Sequence, residues 1–433
     1  MGMNKKISLK EAVSIGIGGM VGGGIFAVLG LATDLAKGGT PISFLIAGTI
    51  ALITAYSYSK LSIRFPDRGG TVKFINTGCG INVFSGGINN LLWVSYIVML
   101  SLYASAFGSY APNLYKITDN VNIDGHIYST CIILVAAIIN YYSIKVVGKI
   151  ESIAVIIKLI ILLAFVVIGV YGLFSSEHLE QLTYPNWESP LNLVVAGMMI
   201  FVAYEGFELI ANAAPDIENP KVNIPKAYFQ SVIFVIILYI VIAIITVGSL
   251  DFGEISTAKD YVLAEAAKPM LGKMGFTIIT IAALISTFSA INASLYGGSR
   301  VSFKLAEDDE LPHQLTCKLW NQPIGLMITI AATIVFVNIL NLESISTAGS
   351  VGFLLIFSVV NFVSFKLHEE IKSNRFIALA GSILCFLALI TLIVKQFEND
   401  KLSVIIAIGI VIFCFTIEFI YKMNEVKTVT NNR

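Results

Sequence analysis

Residues 14–30 read SIGIGGMVGGGIFAVLG, and residues 195–214 read VAGMMIFVAYEGFELIANAA. Each lies in an apolar run long enough to cross the roughly 30 Å hydrocarbon core of a bilayer. Each is interrupted at its middle. Gly22, Gly23 and Gly24 are poor helix formers, so the backbone there is expected to unwind. Unwinding frees N–H groups, and the half-helix that follows adds its positive end, a combination suited to an anion such as a carboxylate. The alternative is close helix packing through small residues, which Gly16, Gly18, Gly19, Gly22 and Gly23 also allow. In the second run, Tyr204-Glu205-Gly206-Phe207-Glu208 puts two carboxyls around a glycine. A break there would bare carbonyls able to hold an ammonium. The alternative for Glu205 is a simple pairing with a neighbouring helix. Two glycine-interrupted spans in corresponding positions point to an inverted-repeat transporter whose substrate sits at the midplane between the breaks.

Composition sets the frame for those two runs. The chain has 433 residues, 56% hydrophobic and only 13% charged, where a soluble domain is about 25% charged. Such a chain is an all-α polytopic membrane protein, because only helices or closed barrels satisfy the backbone in lipid and these runs exceed barrel strands. Twelve spans are predicted, at residues 9–36, 41–65, 83–114, 127–144, 150–174, 191–213, 227–250, 273–304, 323–341, 346–366, 375–396 and 402–423. Residues 1–174 and 191–366 would form the two repeats, of five spans each, with 375–423 appended in a single membrane domain. With twelve spans, Lys5, Lys6, Lys10, Lys60, Arg64, Arg68, Lys73, Lys145, Lys149, Lys221, Lys226, Arg300, Lys304, Lys318, Lys366, Lys372, Arg375, Lys422, Lys427 and Arg433 fall on one side. The positive-inside rule then makes both termini cytoplasmic in the plasma membrane. The first apolar run does not read as a cleavable signal peptide, being too long and too rich in glycine.

Lys158 lies within residues 150–174, IESIAVIIKLIILLAFVVIGVYGLF. An ammonium at the centre of a spanning helix costs roughly 2.5–3.5 kcal/mol on insertion scales, so it marks an ion or proton pathway by default. Snorkelling is the alternative. Lys149 begins the span, and nine residues at about 1.5 Å each put Lys158 roughly 13 Å deep, about twice the reach of its stem.

At this point the chain resembles the amino acid–polyamine–organocation (APC) transporters over nearly its whole length. The resemblance rests on G-x-x-x-G-G-G-I-F from Gly18 to Phe26, Y-E-G-F-E from Tyr204 to Glu208, I-E-N-P-K-V-N-I-P-K-A from Ile217 to Ala227, and S-R-V-S-F-K-L-A-E-D-D-E-L-P from Ser299 to Pro312. Gly148-x-x-Glu151 before Lys158, with Ser286, Ser289 and Asn292 in span 8, makes it most similar to the archaeal, proton-coupled, sodium-independent ApcT type. The resemblance implies the LeuT-type fold with broken helices 1 and 6, and alternating access. It implies that Gly22, Gly23 and Gly24 bind the substrate carboxylate, while carbonyls near Phe201, Val202 and Tyr204 bind its amino group. It implies that Lys158 stands where related symporters hold sodium, with Gly18 and Ser286 as partners and Ser289 as a weaker one. Glu208 would serve gating or proton coupling, and Glu205 specificity or pairing. The ApcT type does not carry both carboxyls, so the pair is a departure. A sodium-coupled symporter and an amino acid or polyamine exchanger of the same fold are the rival readings.

Other classes find no support. There is no HExxH, no P-loop and no clustered His or Cys, so neither an enzyme nor a cofactor or metal site is expected. Cys79, Cys131, Cys317, Cys385 and Cys414 are scattered and read as packing residues. The net charge is zero, which implies no nucleic-acid partner. The expected partners are an amino acid, protons and the bilayer, with monomer and homodimer both open. The loop at residues 64–70 resembles the cytoplasmic loop of the same group, although positive-inside charge with a Pro/Gly turn accounts for most of it, and the acidic run Glu307-Asp308-Asp309-Glu310 reads as a solvated cytoplasmic face.

Overall fold

A computed structural model describes residues 6–142, 144–307, 310, 318–319, 322–323 and 324–431, with the side chains of 142–152, 318–323 and 424–431 left aside. The Gly148–Glu151 motif, Asp308, Asp309, His313 and Cys317 therefore lie outside the described residues or side chains. The described chain is helical apart from a two-residue hairpin, β1 (Lys318–Leu319) with β2 (Gln322–Pro323).

The first span divides into α1 (Leu9–Met20) and α2 (Gly24–Ala36), bent by 46° across the glycine run. Ser8 and Glu11 form a reciprocal capping box at the start of α1. Then come α3 (Thr40–Arg64), α4 (Thr71–Cys79), α5 (Val83–Tyr110), α6 (Val121–Tyr142) and α7 (Ile144–Leu173). The next span is α8 (Pro190–Met199), a 3₁₀ stretch Phe201–Glu208, and α9 (Leu209–Ala213), bent by 45°. After it follow α10 (Pro220–Ser249), α11 (Phe252–Thr257), α12 (Val262–Glu265), α13 (Lys268–Glu307, kinked at Gly272), α14 (Ile324–Ile339), α15 (Leu342–Lys366), α16 (Arg375–Asn399) and α17 (Lys401–Asn431).

Among the described residues, nine helices are long and apolar enough to cross a membrane, and the two bent pairs raise the number to eleven. The predicted ninth span corresponds to α14, whose 16 residues fall short of that length. Helices α10 and α13 begin before the predicted spans at 227 and 273, because polar residues extend a helix past the hydrocarbon and hydropathy registers only the apolar part. Two regions read as loops are partly helical: α4, and the stretch 251–267 that carries α11 and α12.

The two broken spans run against each other in close backbone contact. A Cβ on Gly19 would lie 2.6 Å from the Gly206 carbonyl oxygen, and one on Gly24 would lie 2.9 Å from Ala203 Cα. A Cβ on Gly206 would fall well inside contact distance of the Gly19 backbone. Behind the 3₁₀ stretch sits an aromatic cluster. Tyr58 and Phe207 are 5.5 Å apart edge to face, Tyr58 and Phe357 likewise 5.5 Å, and Phe207 and Phe357 5.2 Å. Such pairs contribute about 0.5–1.5 kcal/mol each beyond burial. They hold eight residues of 3₁₀ backbone where runs beyond about four are uncommon.

The two ends of the bundle differ. At the end carrying Arg68, Arg300 and Lys304, a vestibule of about 680 Å³ opens between the α3–α4 turn, Pro215 and the last turns of α13. At the opposite end the 251–267 segment lies on α2 so closely that Gly30 has no room for a Cβ beneath the Lys259 carbonyl. Lys259 there approaches Asp34 at 3.9 Å and Glu343 at 4.0 Å, Lys37 meets Asp34 at 3.5 Å, and Gln396 donates to Glu343 at 2.8 Å.

Gly206→Ala should lower the thermal unfolding midpoint in detergent by several degrees, since overpacking of this kind costs about 1–3 kcal/mol. Gly409→Ala, where a Cβ meets nothing within 4 Å, should leave the midpoint unchanged. Equal midpoints for both variants would mean that the two broken spans are not in tight contact.

Candidate functional site

A broken helix leaves carbonyls at the end of its first half and N–H groups at the start of its second. The neighbouring spans supply partners for many of these. Tyr239 on α10 donates to the Met20 carbonyl at 2.7 Å. Ser286 on α13 donates to Gly22 at 2.7 Å and to Val21 at 3.1 Å, so its single proton is aimed at the break itself. In the second broken span, Ser346 and Ser350 on α15 both donate to the Met199 carbonyl at 2.8 Å, and Ser350 accepts from the Val202 N–H at 3.2 Å.

Lys158, on α7, is completely buried, and its ammonium donates to the Gly18 carbonyl at 3.1 Å. That carbonyl belongs to the last turn of α1, the negative end of the half-helix dipole, where a cation is favoured. Val155, one turn earlier on α7, comes within 3.0 Å of where a Gly18 Cβ would be. A larger residue at position 18 would push α7 and its ammonium away.

At the start of α2 the N-cap is Gly23, with no side chain to cap the first N–H groups. The ring of Tyr103 on α5 covers this point. A Cβ on Gly23 would collide with it, and one on Gly22 would come within 2.9 Å of Ala290 and 3.6 Å of the ring. Phe201 packs on Phe357 at 5.8 Å between ring centroids, while the Tyr204 hydroxyl turns away to the Phe44 carbonyl at 3.0 Å.

The two carboxyls of the 3₁₀ stretch have different surroundings. Glu208, 2% exposed, accepts from Tyr96 at 2.5 Å on one oxygen and from Thr71 at 2.7 Å on the other. Because the Thr71 proton goes to Glu208, the Tyr58 hydroxyl 2.9 Å away donates to Thr71. Glu208 thus ties the second break to α3, α4 and α5. Glu205, 4% exposed, faces the Tyr103 hydroxyl, and its Oε2 has no partner among the described residues. It borders a small internal cavity of about 10 Å³ shared with Gly18, Gly19, Tyr96, Tyr103, Ser289 and Ser294.

The structure therefore gathers Gly18, Gly22, Gly23, Gly24, Lys158, Glu205, Ser286 and Ser289 about the two breaks, with Glu208 turned to Thr71 and Tyr96. Sequence reasoning missed Thr71, Tyr96, Tyr103 and Tyr239. Thr71 stands just after Gly69-Gly70, where Gly70 takes a positive φ of 45° to start α4; that turn was a signal, whereas the tyrosines gave none.

A family model described as amino acid permease matches residues 7–417, nearly the entire chain. The chain belongs to the amino acid permease family, within the APC superfamily. An uncharacterized protein of Methanocaldococcus jannaschii is 35% identical over 99% of this chain and 98% of its own length. The inner membrane transport protein YbaT of Escherichia coli is 31% identical over 98% and 97%. The serine/threonine exchanger SteT of Bacillus subtilis is 24% identical over 86% of each chain. This permease is thus a multi-pass membrane protein of a transporter family.

Tyr96→Phe and Thr71→Val should each destabilise the permease by about 1–3 kcal/mol, because each leaves one buried oxygen of Glu208 unpaired. In a Glu208→Leu background the same substitutions should cost much less, as read from unfolding midpoints in detergent. Additive losses in the double variants would show that Glu208 is not the shared acceptor.

Proposed function

We propose that this permease imports amino acids by alternating access, coupled to protons and independent of sodium, with the Lys158 ammonium standing where a sodium ion sits in related symporters. The observation that carries this reading is the bond from the fully buried Lys158 to the Gly18 carbonyl at the end of α1. A fixed ammonium presents one positive charge to the carbonyls of the break while protonated and none after proton loss. Proton loss would release the link between α7 and α1 and let the two move apart. On this reading α14 is the ninth of twelve spans, α1–α7 and α8–α15 are the inverted repeats of a LeuT-type fold, and the basic end faces the cytoplasm.

The substrate carboxylate is assigned to the N–H groups of Gly22, Gly23 and Gly24, and its amino group to carbonyls about Phe201, Val202 and Tyr204. The uncapped start of α2 supports the first assignment. The 680 Å³ vestibule at the basic end, with the opposite end covered, corresponds to an inward-facing state with the binding site collapsed under Tyr103. Ser294 on the wall of the small cavity and Leu295 and Ser299 on that of the vestibule adjoin along α13, which gives the released substrate a short way out. Exchange rather than net import is the second reading, favoured by the name of the Bacillus subtilis relative.

In proteoliposomes, an inward proton gradient should drive uptake of labelled amino acid, and replacing sodium should change nothing. Uptake that requires sodium without a proton gradient would overturn the coupling, and uptake that requires internal amino acid would establish exchange. Lys158→Ala should abolish net transport while sparing much of the substrate binding, since the binding groups are backbone atoms. A Lys158→Ala variant with the wild-type rate and pH profile would place the proton elsewhere.

A further inference from the structure

Glu205, for which the resemblance leaves specificity and pairing both open, is the acid of this site that borders unfilled space. Its Oε2 has no partner among the described residues, and leaving such an oxygen buried is unfavourable unless something donates to it. Small groups form much of the wall around it, Gly18 and Gly19 on α1 and Ser289, Ala290, Ala293 and Ser294 on α13, with Tyr96 and Leu209 as the larger neighbours. The space left, about 10 Å³, holds one water-sized group. On its other side stands Tyr103, whose hydroxyl faces the Glu205 carboxyl and whose ring lies over Gly22 and Gly23. One side chain therefore covers both the uncapped N–H groups of α2 and the carboxyl, which places the two within the span of a single small ligand.

We infer that Glu205 reads the substrate side chain by accepting a hydrogen bond from a donor on the β-carbon, so that the permease selects short amino acids carrying a hydroxyl or an ammonium there. Tyr103 is the stand-in for that ligand in the empty protein. When its ring swings off Gly23 to admit a carboxylate, its hydroxyl leaves Glu205, and the substrate must replace the lost donor. A side chain of the same size without a donor leaves the carboxyl unpaired, and sites built around a hydrogen bond reject such analogues strongly. Long basic chains exceed the space between Glu205 and α13. This assignment rests on the amino acid transport reading above.

The test is a ligand panel read by thermal stabilisation of the purified full-length protein in detergent, which ranks affinities without a label. Serine should bind about tenfold or more tightly than alanine, and threonine than valine. 2,3-Diaminopropionate separates an ammonium from a hydroxyl donor, and lysine tests length. Glu205→Ala should erase the preference of serine over alanine. Glu205→Gln keeps an acceptor without the charge, so it should retain serine and weaken 2,3-diaminopropionate. Alanine binding as well as serine in the wild type overturns the inference while leaving amino acid transport intact. So does a serine preference that survives Glu205→Ala. If no amino acid stabilises the wild type, the transport reading itself fails and takes this one with it.

Discussion

Within hydrocarbon, a backbone polar group finds no water, and every N–H and carbonyl freed by a broken helix must meet a protein group or a ligand. Much of this structure follows from that constraint. Two spans are bent by about 45° at their centres, and residues of α7, α10, α13 and α15 converge on the freed carbonyls. Ser286, Tyr239, Ser346 and Ser350 answer the Val21, Gly22, Met20 and Met199 carbonyls with hydroxyls, and Lys158 answers that of Gly18 with an ammonium. A hydroxyl is a permanent donor. An ammonium is a donor whose charge depends on a proton.

The same constraint explains why the two carboxyls, three residues apart, have separate characters. Glu208 receives a donor on each oxygen, and the Tyr58–Thr71–Glu208 chain with Tyr96 joins four elements into one block. Fully satisfied buried networks rigidify what they join. Glu205 is incompletely satisfied and borders space. The first is held on both oxygens and the second is open on one, although on the sequence they are two identical side chains about one glycine.

The bundle is also asymmetric from end to end. The pairs among Asp34, Lys37, Lys259 and Glu343 are about one-third exposed, and such pairs contribute little singly. What seals that end is the backbone contact of the 251–267 segment on Gly30. Among the described residues no such cover lies on the basic end, where Arg68 and Arg300 line an open vestibule and Arg300 stacks 4.1 Å from the Tyr296 ring centroid.

By itself, the sequence determined the class, most of the membrane helices, both interruptions and the exceptional position of Lys158. These are properties of single segments: hydropathy over some twenty residues, glycines that cannot sustain a helix in mid-span, and a charge with no water near it. The resemblance to APC transporters supplied the expectation that Gly18 faces Lys158. Only the tertiary structure decided that Tyr239 and the α15 serines cap the breaks, that Thr71 and Tyr96 hold Glu208, and that Tyr103 covers Gly23. Their side chains come from segments dozens to hundreds of residues away, and a buried tyrosine on a spanning helix looks like packing until its hydroxyl is seen to meet an acceptor. Local physics is written along the chain, whereas the partner of a buried polar group depends on which helices pack together and at what height.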